Sequence, residues 1–234
     1  MTANFIIALI LTAVISYLLG SCNSAIIVCK LWKKTDIRTV GSKNAGLTNT
    51  YRVFGKGPAL VTLIGDLSKG VIAVVLSRLI FNLLGTGLPV TGAMGTEYTT
   101  IFVGYIAGFF AIIGHILPVY YGFKGGKGIL VSSSILLVID PVTFCIVIPF
   151  FILMVILTRY VSVSSITSAV AYPIITYFVQ TFIMKYDYVW LNVILVICTS
   201  ILLIYMHKEN IKRLKAGTEN KFGKKKIDKI DSGE

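Results

Sequence analysis

The sequence predicts an all-α integral membrane protein with seven transmembrane helices, and its composition, apolar runs and charge distribution support this prediction. The chain has 234 residues, of which 56% are hydrophobic and 14% are charged. A typical globular domain is about 45–50% apolar and about 25% charged. The apolar residues form separate runs, and the basic residues lie mainly between them. A helix satisfies its own backbone hydrogen bonds inside a bilayer, so each run is expected to be helical.

One of the runs is short. A hydrocarbon core of about 30 Å needs about 20 helical residues, and the fourth run reaches that length only if its helix starts near Gly125. The first run is not expected to be a cleaved signal, because no basic residue precedes it and no A-x-A site follows it. The predicted spans are Phe5–Cys29, Ala59–Leu84, Tyr98–Leu117, Ile129–Ile139, Val142–Thr158, Ile166–Ile183 and Val189–Met206.

The basic residues test the fourth span and set the orientation. Seven of them lie between residues 30 and 56, and nine lie in the tail that begins at His207. These two regions lie on the same face of the membrane only if an even number of spans separates them. Seven spans would place six between them. The positive-inside rule then predicts the N-terminus outside and the C-terminus in the cytoplasm. Most of these charges, including Lys224–Lys226, are expected only to set topology. The loop from Gly85 to Glu97 would be a variable outer connection.

Several kinds of site are not indicated. The four cysteines lie in or beside apolar runs without a CxxC pair, so neither a disulfide framework nor a zinc site is predicted. The sequence shows no paired carboxylates, no Ser-His-Asp spacing and no cluster of metal ligands. Asp66 and Lys69 lie three residues apart inside the second span. We interpret them as a structural ion pair, because an unpaired charge at the bilayer centre costs about 3 kcal/mol.

The first loop, from Asp36 to Gly55, is a candidate anion site. Glycine lets backbone N–H groups approach an anion closely, and arginine offers a fork of donors that fits phosphate. An ordinary turn-rich loop is the alternative. The candidate residues, which fall within twelve positions, are Gly41, Ser42, Asn44, Gly46, Thr48, Asn49 and Arg52.

The next corner, GHILPVYYGFKGGKG from Gly114 to Gly128, leads into the fourth span. Its GGKG sequence, which starts at Gly125, would combine flexible backbone donors, the positive end of a helix and the charge of Lys127. It is not a Walker A loop, because Gly128 stands where Ser or Thr is required, so nucleotide hydrolysis is not indicated. His115 is either a ligand or a residue that hydrogen-bonds locally.

Two further polar clusters lie at span ends. His207 and Asn210 lie three residues apart and therefore on one helical face, although a helix that leaves the bilayer would carry such residues in any case. Irregular polar backbone at membrane depth is tolerated in a protein-lined pocket. The clusters together favour a site for a molecule with an acyl chain at one end and a phosphate at the other. In the third corner, at residues 159–167, three serines either cap the sixth span or contact a substrate: Ser162, Ser164 and Ser165.

These motifs resemble those of the bacterial acyl-phosphate:glycerol-3-phosphate acyltransferase family (PlsY). GSKNAGLTNTYRVFG is similar to the family's first motif, GHILPVYYGFKGGKG to its second and HKENIKRLKAGTEN to its C-terminal motif. Lys43 and Leu47 depart from the Gly and Ala that the family usually has there. Acyltransferases that use acyl-CoA or acyl carrier protein carry an HxxxxD motif. That motif is absent here, because Tyr120 and Lys212 follow the two histidines by five residues.

The resemblance implies an enzyme that transfers a fatty acyl group from acyl phosphate to the 1-position of sn-glycerol-3-phosphate. The products would be lysophosphatidic acid and inorganic phosphate, in an early step of bacterial phospholipid biosynthesis. No cofactor and no metal are expected. We expect a multi-pass protein of the bacterial cytoplasmic membrane with its active site facing the cytoplasm. Its partners would be the two substrates and membrane lipids, with no nucleic acid, and it would be a monomer.

Matching the motifs residue by residue gives expected roles. Catalytic roles fall to Ser42, Arg52, Lys127, His207 and Asn210. Substrate-binding roles fall to Gly41, Asn44, Thr48, Asn49, Gly125, Gly126, Gly128 and Ser165. Glu219 is expected to be more structural than chemical. The proton of the attacking hydroxyl would pass to His207 or to a phosphate oxygen of the substrate, and we favour the substrate because acyl phosphate has a good leaving group.

The expected organisation is a membrane domain at residues 1–206 and a basic segment at residues 207–234 whose start completes the active site. The motif loops would lie at 36–55, 114–128 and 159–167. Two other classes of protein compete with this assignment. A solute transporter would show internal repeats, broken spans and polar residues at mid-membrane. The sequence shows no internal repeat, and its glycine clusters lie on one face. A lipid-binding scaffold would need the basic tail but not the glycine motifs.

Overall fold

The structure, a computed structural model, describes residues 3–84, 94–186 and 189–223. This part of the chain forms ten α-helices and contains no β-strand. Residues 85–93 of the expected outer loop lie outside the described residues. The helices are α1 (Ala3–Ser21), α2 (Ser24–Lys33), α3 (Leu47–Phe54), α4 (Lys56–Leu83), α5 (Met94–Ile116), α6 (Ile129–Ile139), α7 (Pro141–Thr158), α8 (Val161–Phe178), α9 (Val189–Met206) and α10 (Lys208–Lys215).

Six helical segments of the described chain are long and apolar enough to cross a membrane, so the predicted number of seven is wrong. The first segment combines α1 and α2, since only Cys22 and Asn23 separate them. The Asn23 side chain accepts a hydrogen bond from the Ile26 amide and caps α2. The other segments are α4, α5, α7, α8 with the π-helical turn Val179–Ile183, and α9, which coincides with the predicted seventh span.

The fourth predicted span is the one that fails. It forms α6 with the predicted bounds, and its 11 residues extend only about 16 Å at about 1.5 Å per residue. The helix does not start near Gly125, because the amides of Gly125 and Gly126 donate at 3.0 and 3.1 Å to the last two carbonyls of α5. Gly128 then has a left-handed φ of 83° directly before α6. The glycine segment therefore replaces the first turns of the expected helix.

Helices α1 and α5 pack backbone against backbone at two glycines. A methyl group at Gly20 would overlap the Ala111 carbonyl, and one at Gly114 would overlap the Tyr17 carbonyl. Lipid removes the hydrophobic drive that joins helices in water, so membrane helices are held by contact packing, which small residues make closer. This packing fixes the end of α5, where His115 precedes the glycine segment.

A buried polar network joins the far ends of α6 and α8 to the start of α9. The Asp140 carboxylate accepts hydrogen bonds from Thr143 Oγ1 at 2.7 Å and from Gln180 Nε2 at 2.9 Å. Asn192 Nδ2 donates to Gln180 Oε1 at 2.9 Å. Gln180 lies in the π-helical turn and is fully buried. Because buried polar groups in an apolar bundle need such partners, the network fixes the end of the short helix α6.

Replacing Gly20 by Ala is expected to destabilise the bundle by about 1–3 kcal/mol, because the added methyl group must push α1 away from α5. Val14→Ala, on the exposed face of α1, is the control and should leave the stability nearly unchanged. Thermal unfolding of both variants in the same detergent measures the difference. An unchanged unfolding temperature for Gly20→Ala would contradict the close α1–α5 contact.

Candidate active site

The predicted polar clusters meet at one end of the bundle around the carboxylate of Glu219. This side chain is 7% exposed and accepts three hydrogen bonds, from Ser162 Oγ at 3.1 Å, Asn210 Nδ2 at 2.8 Å and Arg213 Nε at 2.7 Å. Ser162 lies in the first turn of α8, whereas Asn210 and Arg213 belong to α10. Glu219 therefore joins the start of α8 to the segment that follows α9.

Lys127 connects the glycine segment to this carboxylate through Asn210. The Lys127 ammonium group donates a hydrogen bond to Asn210 Oδ1, while the nitrogen of the same amide donates to Glu219. The pKa of Lys127 is lowered to about 8, chiefly by burial and also by the charges of Arg213 and Arg52, against the opposing charge of Glu219. Burial thus destabilises the charged form of Lys127, and a pKa of about 8 still keeps it mostly protonated at neutral pH.

Arg52 brings the first loop to the same end of the bundle. It lies in α3 and is partly buried. Burial lowers the pKa of Arg52 from the usual arginine value, and the charges of Glu219 and Arg213 also act on it. Its guanidinium group has no ion pair and no hydrogen bond within the part of the chain that the structure describes. Arg52 is therefore a free cation beside the Lys127–Asn210 pair.

The short helix α6 does not disturb this arrangement. α6 starts beside Lys127 and ends at Asp140, where α7 begins. α7 returns to the site end, where the carbonyl of Arg159 accepts a hydrogen bond from the Phe222 amide at 2.7 Å. The chain still passes between the two ends of the bundle in α4 to α9, with α6 covering only part of the distance. The first loop and the tail therefore lie at one end of the bundle, and the membrane face at which that end lies stays a prediction.

His207 is buried at the start of α10, with 3% of its surface exposed. Its Nδ1 lies 2.8 Å from the carbonyl oxygen of Leu203. A carbonyl can only accept, so Nδ1 carries the proton and Nε2 holds the free lone pair. Burial, together with the charge of Lys127, lowers the pKa of His207 to about 4. The ring is therefore neutral at pH 7 and offers an acceptor at Nε2.

Asn49 holds the first loop in shape. Its side chain is 1% exposed, accepts a hydrogen bond from the Ser42 amide at 2.8 Å, and donates to the carbonyls of Val40 and Asn44 at 3.1 Å each. A further bond goes to the Ile37 carbonyl at 3.2 Å. These contacts give Asn49 a positioning role, and its expected role in binding substrate stays a prediction.

The glycines of the second motif provide space as well as backbone freedom. A methyl group at Gly126 would overlap both His115 Nε2 and the Ala45 carbonyl, and one at Gly125 would overlap the His115 carbonyl. The amides of these two glycines are already bonded to α5. The amides of Lys127 and Gly128, in contrast, have no acceptor among the described residues. Only this second half of GGKG is free to donate to an anion.

His115 is supported by a buried charge pair inside α4. Lys69 Nζ lies 2.9 Å from Asp66 Oδ1 and 2.8 Å from His115 Nδ1, and it donates to the Cys22 carbonyl at 3.2 Å. The predicted pairing of Asp66 with Lys69 is therefore present. Because a charged lysine can only donate, His115 Nδ1 accepts, and its proton resides on Nε2, the nitrogen that faces Gly126. The ring of His115 thus bonds to a residue of another helix, and the expected alternatives of a ligand or a locally bonded residue stay predictions.

The serines of the third corner divide into two groups. Ser164 and Ser165 donate to the carbonyls of Tyr160 and Val161, four residues back, at 3.0 and 2.9 Å. Tyr160 occupies the N-cap position of α8 and makes no side-chain capping bond there, so these serines do not cap the helix. Ser162 is the serine that reaches Glu219.

Four of the five residues predicted to be catalytic come together, namely Arg52, Lys127, His207 and Asn210. The predicted set omits Ser162 and Arg213, which both donate hydrogen bonds to Glu219. The signal available for Glu219 was an acidic residue that follows α10 within the predicted C-terminal motif HKENIKRLKAGTEN. No described contact joins the remaining predicted residues of the first loop to Glu219: Gly41, Ser42, Asn44 and Thr48. The described ranges hold no group of three His, Cys, Asp or Glu side chains that could bind a metal ion.

An all-helical bundle of apolar spans that gathers partly buried cations near one carboxylate places the chain in the class of integral membrane proteins. The profile of the glycerol-3-phosphate acyltransferase family matches residues 10–217. The chain therefore belongs to this family of membrane acyltransferases.

Individual relatives agree with this placement. A glycerol-3-phosphate acyltransferase of Coxiella burnetii is 40% identical over 214 residues, which cover 92% of this chain and 98% of that protein. One of Clostridioides difficile is 38% identical over 221 residues, covering 94% and 98%. The crystal structure of PlsY, an integral membrane glycerol 3-phosphate acyltransferase in its glycerol 3-phosphate form, is similar with a TM-score of 0.74 and 29% identity, over 92% of this chain and 96% of that one. Its lysophosphatidic acid form gives 0.71 and 28%, over 92% and 95%.

Replacing Gly126 by Ala is expected to reduce acyltransferase activity at least about tenfold, because the methyl group must displace His115 or the loop at Ala45 and thereby move Lys127. Gly122→Asn is the control, since nothing lies within 4 Å of an added Cβ at Gly122 and asparagine tolerates its left-handed φ of 64°. Activity per folded protein, with thermal unfolding as the check on folding, separates the two variants. Equal activities would show that the fit at Gly126 does not position Lys127.

Proposed function

We propose that the protein transfers a fatty acyl group from acyl phosphate to the 1-position of sn-glycerol-3-phosphate, forming lysophosphatidic acid and inorganic phosphate. Family membership supports acyl transfer to glycerol-3-phosphate. The similar PlsY structures, whose forms are named for glycerol 3-phosphate and lysophosphatidic acid, support the acceptor and the product. The absence of an HxxxxD motif supports acyl phosphate as the donor. The reaction is an early step of bacterial phospholipid biosynthesis.

The main support for the proposal is an excess of positive charge at the site. Arg52, Lys127 and Arg213 act on one another there, and Glu219 is the carboxylate that opposes them within the described chain. Like charges brought together in a partly buried place disfavour their own ionised forms. A phosphate dianion would remove the imbalance through charge-assisted hydrogen bonds. Both proposed substrates carry a phosphate group.

Specific roles follow for the side chains. Arg52 and Lys127 would each hold a phosphate group, and Asn210 would keep Lys127 in place. The free amides of Lys127 and Gly128, at the start of α6, would add donors at the positive end of that helix. Ser42 would orient the attacking hydroxyl or the carbonyl. The roles assigned to Gly41, Asn44, Thr48 and Ser165 in binding substrate stay predictions.

The proposed reaction needs no strong base. The 1-hydroxyl oxygen attacks the acyl carbonyl carbon, and the bond from that carbon to the phosphate oxygen breaks. The departing phosphate takes the electron pair, and Lys127 and Arg52 stabilise its charge. The hydroxyl proton goes to a phosphate oxygen or to His207 Nε2. A pKa of about 4 makes His207 a weak base at neutral pH, which favours transfer to the phosphate.

We further propose the placement of the protein in the cell. Membrane domain 1–206 would lie in the cytoplasmic membrane as a monomer among lipids, with its N-terminus outside. Segment 207–234 would lie in the cytoplasm and complete the active site through Asn210 and Arg213. The basic residues between positions 30 and 56 and in the tail support this orientation, since positive charges favour the cytoplasmic side.

The pH dependence of kcat/KM for glycerol-3-phosphate should report Lys127. Its pKa is lowered to about 8, so the ammonium group is charged below that pH and loses its proton above it. We therefore expect kcat/KM to fall as the pH rises through 8, after correction for hydrolysis of acyl phosphate. Lys127→Arg keeps the charge at alkaline pH, so its remaining activity should not show this fall. If kcat/KM of Lys127→Arg fell in the same way, the fall would be due to another titrating group.

Reconstitution in lipid nanodiscs tests the reaction itself. Labelled glycerol-3-phosphate should be converted into lysophosphatidic acid with acyl phosphate and not with acyl-CoA. Lys127→Met should lower kcat/KM by about a hundredfold or more, the usual cost of losing a charged stabilising group. Lys56→Met, at the exposed start of α4, is the matched control and should stay active. A solute transporter or a lipid-binding scaffold would form no product with either donor, and that outcome would refute the proposed function.

A further inference from the structure

A groove of about 540 Å³ opens between the first loop and the glycine segment. Ser42 precedes one of its lining residues in the chain, and Lys127 lies two positions after another, so the groove borders the two loops that carry the proposed active site. The lining residues are Asp36, Arg38, Thr39, Lys43, Tyr121, Gly122, Lys124 and Gly125.

Arg38 already donates hydrogen bonds to three acceptor groups at this groove. Its Nε and Nη2 donate to the Asp36 carboxylate at 3.0 and 2.7 Å. Its Nη1 donates to the carbonyls of Tyr121 and Lys124 at 2.7 and 3.1 Å. Hydrogen bonds from Arg38 lower the pKa of Asp36 to about 2, so this ion pair is complete at neutral pH. The pair ties the two loops together and cancels its own charge.

Lys43 and Lys124 are left as uncompensated charges in the lining. Both side chains are exposed, and neither ammonium group has an ion pair or a hydrogen-bond acceptor in the described ranges. With Asp36 and Arg38 neutralising each other, the described lining carries two net positive charges. A cleft lined by one sign of charge concentrates ions of the opposite sign.

We propose that this groove is a second anion-binding site for a phosphate monoester, where Lys43 and Lys124 concentrate glycerol-3-phosphate beside the active site. The identity of the monoester rests on the proposed function, whereas the anion site rests on the groove itself. Two sources share this phosphate chemistry, the soluble substrate and a lipid head group, and the experiment below separates them.

The chain contains a matched control for Lys43. Lys43 and Lys34 both have a left-handed backbone, with φ of 59° and 51°, and both are exposed without an ion pair in the described chain. Lys34 ends α2 and does not line the groove. Glycine suits a left-handed position, so Lys43→Gly and Lys34→Gly remove the same charge without adding backbone strain. Only the first change alters the groove.

The kinetic test compares these two variants in phosphatidylcholine nanodiscs. At low salt, Lys43→Gly should lower kcat/KM for glycerol-3-phosphate about two- to fivefold with little change in kcat, the size expected for one exposed charge several ångströms from a dianion. The difference should disappear at 1 M salt, where the screening length is about 3 Å. Lys34→Gly should match the wild type at both salt concentrations. Equal effects of the two variants would overturn the proposal.

A binding test that needs no catalysis uses acetylation of lysines read by mass spectrometry. Inorganic phosphate should slow the acetylation of Lys43 and Lys124 at least about threefold and leave Lys34 unaffected. Equal protection of all three, or of none, would overturn the anion site. This result does not depend on turnover. A protein without acyltransferase activity would therefore refute the proposed function, while the protection of the lysines would still test the anion site in the groove.

A third arm identifies the source of the phosphate. Glycerol-3-phosphate should protect Lys43 and Lys124 in phosphatidylcholine nanodiscs, and adding phosphatidylglycerol to the nanodiscs should change this protection little. If phosphatidylglycerol alone protects these lysines and glycerol-3-phosphate does not, the occupant is a lipid head group and the assignment to the soluble substrate is wrong.

Discussion

Most of the polar side chains that the described part of this bundle buries find a partner inside the protein, and that constraint organises the structure. Apolar side chains and lipid offer no hydrogen bonds, so an unpaired buried group costs several kcal/mol. Lys69 is therefore held by both Asp66 and His115, and Asp140 is held by Gln180. The first cluster sets the end of α5 and the glycine segment after it, and the second sets the end of α6. Between them they position the loop that carries Lys127.

At the site end, in contrast, two cations lack an ion pair. This distinguishes the proposed active site from the buried polar clusters that support the fold. Glu219 satisfies Arg213 and Asn210, yet Arg52 has no partner in the described chain and Lys127 has only a neutral amide. Lys69 and Asp66 pair with each other inside the bundle, whereas Arg52 and Lys127 have no ion pair in the described chain, and this supports the proposed binding of an anion there. The same cations that disfavour one another in the empty site would be stabilised by a phosphate dianion. Binding and transition-state stabilisation would then use one set of groups.

The sequence located most of the helices, and it selected the four predicted catalytic residues that the structure brings together, for reasons that are local. Apolar runs of spanning length identified α4, α5, α7 and α9 with small shifts at their ends, and motif spacing selected Arg52, Lys127, His207 and Asn210. It assigned the glycines of GGKG to anion binding because glycine frees backbone donors. In the fold, Gly125 and Gly126 are needed because His115 and Ala45 leave no room for a methyl group. That reason depends on residues distant in the chain, so no local pattern contains it.

By itself, the sequence determined the membrane class, the helical architecture and the family, because hydropathy and motif identity are properties of the chain. Only the tertiary structure decided that α6 is too short to span, since its length is set by the bonds of Gly125 and Gly126 to α5. Only the tertiary structure showed Glu219 as the centre of the site, because its partners come from two separate segments. Charge compensation across a bundle is a property of three-dimensional neighbours, and those neighbours exist only after the helices have packed.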